Sequence, residues 1–573
     1  MKKYALRDSV PQDVDEVLKI HHPLVRALLY ARGISDIDDS LRFLSPDYDK
    51  HLHDPYLLKD MDKVVKRILK AITENEKIGI YSDYDADGIP GAVVLHDFFK
   101  KIGYTNFVNY IPLRNEEGFG LNNEAITNLH SQNIKLLITI DCGITDLEQV
   151  DLANKYGIDV IITDHHIPKE KLPKAFAIIN PKQKRCKYPE KMLCGAGVIF
   201  KVVQALINSK KIEWKDGQEK WLLDMVGLAT LSDMVPLTGE NRVFSFYGMK
   251  VLQKSPRVGL MKLFSLLNIN QNTVTEDDIA FMITPRINAA SRMGIPHDAF
   301  TLLSTTDEVE AGVLAEHLNN KNDERKGVVG SMVREIKKKI TDRDEEMKHV
   351  LVFGNPEWKP SLLGLVANSF SDEHNRPVFF WGREGSNGGT IIKGSCRAGG
   401  DTDVVCLMEK VKDILVDYGG HKGAGGFSVL QENIHTLEDR LNIAFLEITF
   451  EGKALVTTDI LIDKKLSLND VNWDTYSLVE KFAPFGLDNP KPLFLFENIK
   501  ISAVKLFGKE QNHLELKFKN SKNSDITAIA FFSTGEKFGV PINVENNINL
   551  VATLEKSNFR NFPELRLRIV DIF

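Results

Sequence analysis

Tyr81 to Gly88 reads YSDYDADG and follows the apolar run KIGI at 77–80. Its three acids, Asp83, Asp85 and Asp87, fall on alternate positions, and a strand turns alternate side chains to one face. Carboxylates crowded this closely repel one another unless a cation neutralises them, and hard oxygen donors in this arrangement suit magnesium or manganese. A turn rich in Asp and Gly accounts for DADG alone equally well.

The pattern recurs downstream. Ile134 to Gly143, IKLLITIDCG, is an apolar strand that ends in Asp141, and Ile158 to His166, IDVIITDHH, is another that ends in Asp164, His165 and His166. Three apolar runs, each followed by acid or imidazole and separated by helical patterns, predict a parallel sheet, and ligands of such sheets collect at the carboxyl edge. One His beside a strand is ordinarily a surface or core residue, and one Asp there ordinarily caps a helix. Coincidence at three strand ends favours a metal site. Asp233, in GLATLSDMVPL, closes an apolar helical stretch over 221–231, and spacing leaves a metal ligand and a helix-terminating acid evenly matched.

The length calls for about three domains. Hydrophobic content of 43% and charged content of 27% are ordinary for a soluble protein. No apolar run reaches membrane-spanning length, and MKKYALRDSV lacks the apolar core of a signal peptide, so a cytoplasmic protein without membrane association is expected. The five cysteines show no CxxC pair, which argues against a zinc knuckle or a disulfide framework. A net charge of -6 gives no global attraction to nucleic acid, so any polyanion site must be local.

The fold class expected is α/β. Residues 1–70 are expected to be a helical extension leading into the first metal strand. Over 71–305, strands at 77–84, 106–112, 134–142, 158–164 and 175–180 alternate with helices. A long connecting helix follows over 306–345, its charges forming a solvated face. A smaller α/β lobe over 346–450 is built from strands near 349–355, 377–384 and 388–398 and a helix near 402–417. It ends in YGGHKGAGGF, 418–427, where bare backbone would let amides approach a phosphate and a hinge is the rival reading. From 451, runs such as HLELKFK and ELRLRIVDI alternate with period two and predict a small antiparallel barrel. His513, Glu515, Lys517, Lys519, Arg566 and Arg568 are expected on its outer face, which fits a single-strand groove or an ordinary solvated sheet.

In order, SDYDADG, YIPLRNEEGFGLN, TIDCGIT, TDHH, TLSDMVPL, TPRINAASRMG, GSCRA, YGGHKGAGGF and LRLRIVDI resemble the DHH phosphoesterase superfamily, and within it the RecJ branch of bacterial single-strand-specific 5′ exonucleases. The resemblance implies a DHH domain over 71–305, a DHH-associated domain over 346–450 and an OB-fold domain over 451–573. It also implies two divalent cations, manganese or magnesium, held by Asp85, Asp87, Asp141, His165 and Asp233, with Asp83 as ligand or support. Asp164 would orient the imidazole and His166 touch the scissile phosphate, so that Asp164, His165 and His166 form the catalytic set. Arg114, Arg286, Asn288, Ser395, Arg397 and His421 match positions along the nucleotide path. The expected reaction is hydrolysis of single-stranded DNA from the 5′ end in repair and recombination, by a monomer whose partners are a single-strand-binding protein and a repair helicase. Departures from the family pattern are Pro90 in DGIPGA, Lys359 where a His is common, and Cys396 in place of a small residue; the extra carboxyl-terminal domain of some members is not expected. The rivals are a small-nucleotide phosphodiesterase, which the barrel argues against, a pyrophosphatase, which the barrel argues against too, and a silent single-strand-binding adaptor, which would have lost these acids.

Overall fold

The computed structural model describes residues 4–342, 347–383, 390–400, 402–450, 460–557 and 562–573. The expected joint at 345–346, residue 451 where the barrel was expected to begin, Gly388 and Gly389, and most of the barrel's first alternating run, KALVTTDILI at 453–462, lie outside the described residues.

The N-terminal segment differs from a helical extension in one respect. It opens with a strand, β1 (Tyr4–Leu6), paired in parallel with residues 460–462 near the other end of the chain. The helix Pro23–Tyr30 that follows has Pro at its first turn, where a missing N–H costs nothing, and His22 as its cap. It buries Leu24, Val25, Leu28 and Leu29, a helical stripe that joins Phe482, Phe494 and Ile501 in one core. The first helices therefore belong, by packing, with the barrel.

Strands β2 (Ile78–Ser82), β3 (Phe107–Tyr110), β4 (Leu136–Ile140), β5 (Asp159–Thr163) and β6 (Ala177–Ile179) form an all-parallel sheet in the order β3-β2-β4-β5-β6. Ile78, Ile80, Leu136 and Ile138 pack into one core, while Tyr81, Leu137, Val160 and Ile162 pack into a second core on the other face. Both faces are covered by helices, which is why these strands read as continuous apolar runs. The chain leaves β2 for β3 on one side and returns to β4 on the other, so the crevice of the sheet opens between the carboxyl ends of β2 and β4. Helices Leu223–Ser232, Gly239–Leu252, Val258–Leu266 and Thr284–Met293 complete this lobe, and Glu308–Asp342 runs as one 35-residue helix from this lobe's core, at Ala311, Ala315 and Leu318, to that of the second, at Met332 and Ile336.

The second lobe is a mixed sheet of β7 (Leu351–Gly354), β8 (Val378–Gly382), β9 (Ile391–Arg397), β10 (Leu415–His421) and β11 (Ala424–Leu430), in the order β10-β11-β9-β8-β7 with only β7 and β8 parallel. The helix expected over 402–417 covers only Val404–Lys410, because the chain is already extended from Leu415. YGGHKGAGGF is a β-hairpin rather than a loop or hinge: Gly419 faces Gly426 and Gly420 faces Gly425 across its two strands.

After the short strands β12 (Ile460–Ile462) and β13 (Lys464–Lys465), the barrel closes through β14 (Phe494–Phe507), β15 (His513–Lys519), β16 (Asp525–Ala530), β17 (Asn547–Ser557) and β18 (Glu564–Ile572), in the circuit β14-β15-β16-β18-β17-β14. Its pairings are antiparallel except β16 with β18. Leu514, Leu516, Phe518, Leu567 and Ile569 point inward as alternation requires. The outer face is less open than charge suggests: Arg566 pairs with Glu555, and the Arg568 guanidinium lies 4.1 Å from the centre of the Phe531 ring. No helix among the described residues is long and apolar enough to cross a membrane.

Candidate metal centre

Three strand ends and one helix end meet at the crevice. Asp83 follows β2, Asp141 follows β4 and His165 follows β5, while Asp233 caps the carboxyl end of Leu223–Ser232. His165 Nε2 lies 3.0 Å from Asp141 Oδ1 and 3.7 Å from both Asp87 Oδ2 and Asp233 Oδ2. Three sets of candidate ligand atoms each fit within 4.8 Å: Asp83, Asp85 and Asp141; Asp87, His165 and Asp233; and Asp141, His165 and His166. Asp141 and His165 each belong to two of the sets.

The backbone is built around these side chains. Asp141 sits at φ 62°, a left-handed conformation that costs a non-glycine residue on the order of 1–3 kcal/mol, and its N–H donates to the Thr163 carbonyl at 2.9 Å. Asp85 Oδ1 accepts the N–H groups of Asp87 and Gly88, which folds the DADG turn onto itself. Both oxygens of Asp87 accept backbone N–H groups, from Gly195 at 2.6 Å and Ala196 at 2.8 Å, at the N-terminus of the helix Gly195–Asn208. That helix end favours a negative charge. Residue 195 has to be glycine, because a Cβ there would stand 2.5 Å from the Asp141 Cβ.

The electrostatics are those of an unneutralised cluster. Burial, and then the Asp85 charge, raises Asp83 well above the ordinary carboxylate range and Asp87 to about 7. Burial and the neighbouring acids, Asp87 first, raise Asp141 well above that range and Asp233 to about 9. Burial, and then the charge of His166, depresses His165 to about 3, so its ring is neutral and suited to ligation. Asp83 Oδ1 and Asp141 Oδ1 are buried with no hydrogen-bond partner. Buried polar atoms are otherwise almost always bonded, so oxygen donors left open beside a neutral imidazole fit a hard divalent cation.

Asp164 serves a different ring from the one expected. Its Oδ1 accepts Nδ1–H of His166 at 2.8 Å and the backbone N–H groups of His165 and His166, and its Oδ2 accepts from Ile144 N. Against the lowering effect of burial, this hydrogen bond and the Asp164 charge lift His166 to about 9, which makes it an imidazolium beside the acids.

A cleft of about 450 Å³ lies between the two lobes, beside this centre. Tyr84, Arg114 and Phe119 line one wall, and Ser361, Lys393 and Gly426 line the other. Arg114 lies over the Tyr84 ring at 5.0 Å, and the Phe119 ring meets His166 edge-on at 5.5 Å.

A family model described as the DHH family, N-terminal domain, matches residues 77–230, and one described as the RecJ OB domain matches 462–571. The single-stranded-DNA-specific exonuclease RecJ of Bacillus subtilis is 32% identical over 548 residues, 95% of this chain and 67% of that protein. The chain belongs to the RecJ family. The RecJ exonuclease of Haemophilus influenzae is 28% identical over 582 residues, 99% of each chain. The crystal structure of RecJ in complex with Mn2+ from Thermus thermophilus shares the fold, with a TM-score of 0.81 at 24% identity over 100% of this chain and 79% of that one. A crystal structure of exonuclease RecJ bound to manganese matches at a TM-score of 0.59 and 29% identity, over 70% of this chain and 98% of that one.

Against this RecJ frame the expected nucleotide-path residues divide. Arg114 lines the cleft. Arg286 does not present its guanidinium to it: the group is buried, with Nε and Nη2 bonded to Asn319 Oδ1 and Nη1 to the Met282 carbonyl. Asn288 braces the acidic turn, its Oδ1 accepting the Ala86 N–H at 2.9 Å. Arg397 folds back on β9, donating to Ser395 Oγ and the Cys396 carbonyl. His421 is exposed at the end of β10. Cys396 is buried beside Met408, and Lys359 stands exposed at the start of the helix Pro360–His374. Pro90 occupies the first turn of Gly88–Lys101, where its missing N–H is tolerated, and the next residue, Gly91, donates its N–H to Asp87 O. Sequence reasoning missed Tyr84, Phe119 and Glu117. Glu117 accepts from Tyr110 OH, Leu113 N and Asn122 Nδ2 and so holds the loop that carries Arg114 and Phe119. The paired glycines around Phe119 in EEGFGL were the available signal.

Proposed function

We propose that this chain is a metal-dependent exonuclease that hydrolyses single-stranded DNA from the 5′ end, in repair and recombination. Asp83, Asp85, Asp87, Asp141, His165 and Asp233 hold two divalent cations, manganese or magnesium, with Asp141 shared between them. The carrying observation is the meeting of these six side chains, with open buried oxygens, at the carboxyl edge of the first sheet, beside the inter-lobe cleft that Tyr84 and Phe119 line. When bound, two such ions supply an activated water and take up the charge that develops on a phosphodiester under attack.

The protein's own groups do the rest. The neutral imidazole of His165 and the carboxylates bind the ions, while the imidazolium of His166, fixed by Asp164, places a positive charge beside the acids where a phosphate oxygen would lie. Arg114, stacked on Tyr84, and Lys393 across the cleft follow the phosphate backbone, and Phe119 offers a face to the terminal base. On the barrel, Phe532 is 80% exposed and packs against His513, while Phe531 lies beneath Arg568; aromatic faces with arginines suit stacked bases of a strand passing outward. A cleft for one strand depends on another agent to part a duplex, which is the reason to look for a helicase partner.

The end preference rests on the family likeness. It is tested by incubating the protein and manganese with single strands labelled at either end: release from the 5′ label first is expected, and release from the 3′ label first refutes the direction. Asp85→Ala together with Asp141→Ala should abolish cleavage while DNA binding persists. A wild-type protein that binds DNA but never cleaves it would favour the adaptor.

A further inference from the structure

Asp233 reaches the metal centre from a five-residue link, 234–238, that joins the helices Leu223–Ser232 and Gly239–Leu252. Met234 within it is left-handed, at φ 55°, and is 70% exposed. The link is therefore short, turned sharply and open at one side, so its path depends on what grips it. Two contacts do so. Val235 packs on Cys194, Ala196 and Ala229, the group behind the helix end that holds Asp87. Leu237 N donates to the Leu487 carbonyl at 2.9 Å, and residue 487 lies in the segment that leads into the barrel.

That segment, 482–491, is rigid for its own reasons. Asn489 is fully buried, and its Nδ2 donates to the Phe482 and Pro484 carbonyls at 2.8 Å each. Its backbone exchanges hydrogen bonds with Gly486 in both directions. The first lobe meets it through Arg242, buried in the first turn of Gly239–Leu252, whose guanidinium donates to the Pro484 and Ala483 carbonyls and to the Phe43 carbonyl of the N-terminal helices. Gly486 presses on the link itself: a Cβ there would stand 2.7 Å from Leu237 Cδ1. Leu237 is 1% exposed within the main core, so its side chain has little room to turn away.

We propose that the segment 482–491 is a brace for Asp233, with Gly486, Asn489 and Arg242 as positioning residues that set how tightly the centre holds the cation served by Asp233. The inference rests on the reading of Asp233 as a ligand. Groups behind a ligand characteristically change metal affinity about 10–100-fold when altered, without touching the metal. The brace also ties the domain that carries the barrel to one wall of the metal centre, a link that the separate cores of the first lobe and the barrel do not provide.

The test is manganese binding followed by electron paramagnetic resonance on the full chain without DNA, which reads the site independently of cleavage. Gly486→Ala should weaken one of the bound ions about tenfold. Leu237→Ala added to it should restore most of the affinity, since it removes the atom that the new methyl meets. Asp233→Ala should weaken the same ion as the control. Wild-type binding by a folded Gly486→Ala protein overturns the brace while leaving the ligand assignment standing, and so does a loss that Leu237→Ala fails to repair. Wild-type binding by Asp233→Ala overturns the ligand assignment and the brace with it. Should Gly486→Ala fail to fold, Arg242→Lys, which keeps the cation but loses the forked set of donors, reads the same affinity, with weaker binding expected and unchanged binding fatal to the proposal.

Discussion

Two buried clusters in the first lobe hold charge in opposite ways. Lys201 and Glu240 are both fully buried, 2.6 Å apart. Glu240 also accepts the His53 N–H at 3.0 Å and the Tyr188 hydroxyl at 2.5 Å, while Lys201 donates to the His53 carbonyl and Gln204. Every charge there has an opposite charge and further hydrogen bonds around it. At the carboxyl edge of the sheet, acids gather around a neutral imidazole, and two carboxylate oxygens have no donor at all. Burial is common to both clusters, so burial does not mark function. The shortage of positive charge does, because a folded protein gathers this many buried acids around so little opposite charge only where something else completes them.

The largest effect separating the clusters should come from Asp141→Asn. Under the proposed function, activity falls by at least about 10³-fold, since several kcal/mol of charge stabilisation are lost with a shared ligand. Stability without metal should move the other way, rising by on the order of 1 kcal/mol, because a neutral amide replaces a buried carboxyl that must either hold a proton against its tendency or repel its acidic neighbours. Melting in EDTA checks this, and a lower melting temperature would show that the acids are not in conflict. Lys201→Met should do the reverse. Leaving Glu240 buried and unpaired costs about 3–5 kcal/mol in denaturant unfolding, while manganese binding by the folded fraction stays at the wild-type level.

The same contrast explains what was legible in the sequence. Apolar runs that end in acid announced β2, β4 and β5, and their carboxyl ends could be foreseen because parallel strands align them. Asp233 was balanced between ligand and helix end, and its position is compatible with both: it caps its helix and lies 3.7 Å from His165. Contacts between distant segments were not legible. Nothing near Asp87 reveals that Gly195 and Ala196 bind it, or that Tyr4 pairs with Ile460. The two arginines of PRINAASR show why a motif is not a geometry. They are six residues apart on one helix, about 240° around it, so they face different ways. Arg286 turns to Asn319 on the long helix, and Arg292, unremarked in the sequence, turns to the Ser361 carbonyl at the cleft wall.

Acidity gives a smaller but diagnostic effect. Asp87 at about 7 and Asp233 at about 9 bind protons more tightly in the folded state than in the unfolded chain, where carboxylates titrate near about 4. The folded state thus holds more protons across that interval, and stability falls as pH rises through it. His166, raised to about 9, acts in the same direction: its pairing with Asp164 is complete below about 6.5 and is lost as pH climbs through 9. His165 is neutral in both states above about 6.5 and drops out. From pH 6.5 to 9 in EDTA the melting temperature should therefore decline, at about 2–4 °C per kcal/mol for a lobe of this size. Manganese needs the acids ionised, so the rise in melting temperature that it produces should be greater at pH 9 than at 6.5. A flat profile in EDTA would place these carboxylates among the ordinary, solvated ones.

The smallest effect belongs to Lys201→Met combined with Glu240→Gln. Replacing both halves of a buried ion pair removes the unpaired charge that makes the single change so costly. Glutamine can still accept the His53 N–H and can donate to the Tyr188 hydroxyl, and the part-exposed Gln204 oxygen, which also loses its lysine, can turn to water, so the main remaining deficit is the His53 carbonyl. One unsatisfied carbonyl costs about 1–3 kcal/mol, and the double variant should lie in the lower part of that range, well above Lys201→Met alone in stability. No such rescue is available to the acid cluster by pairing one side chain with another, because its partner is an ion from solution. Should the double variant prove no more stable than the single one, the Lys201–Glu240 pair is held by more than charge, and the contrast between the two clusters rests on shape as well as on electrostatics.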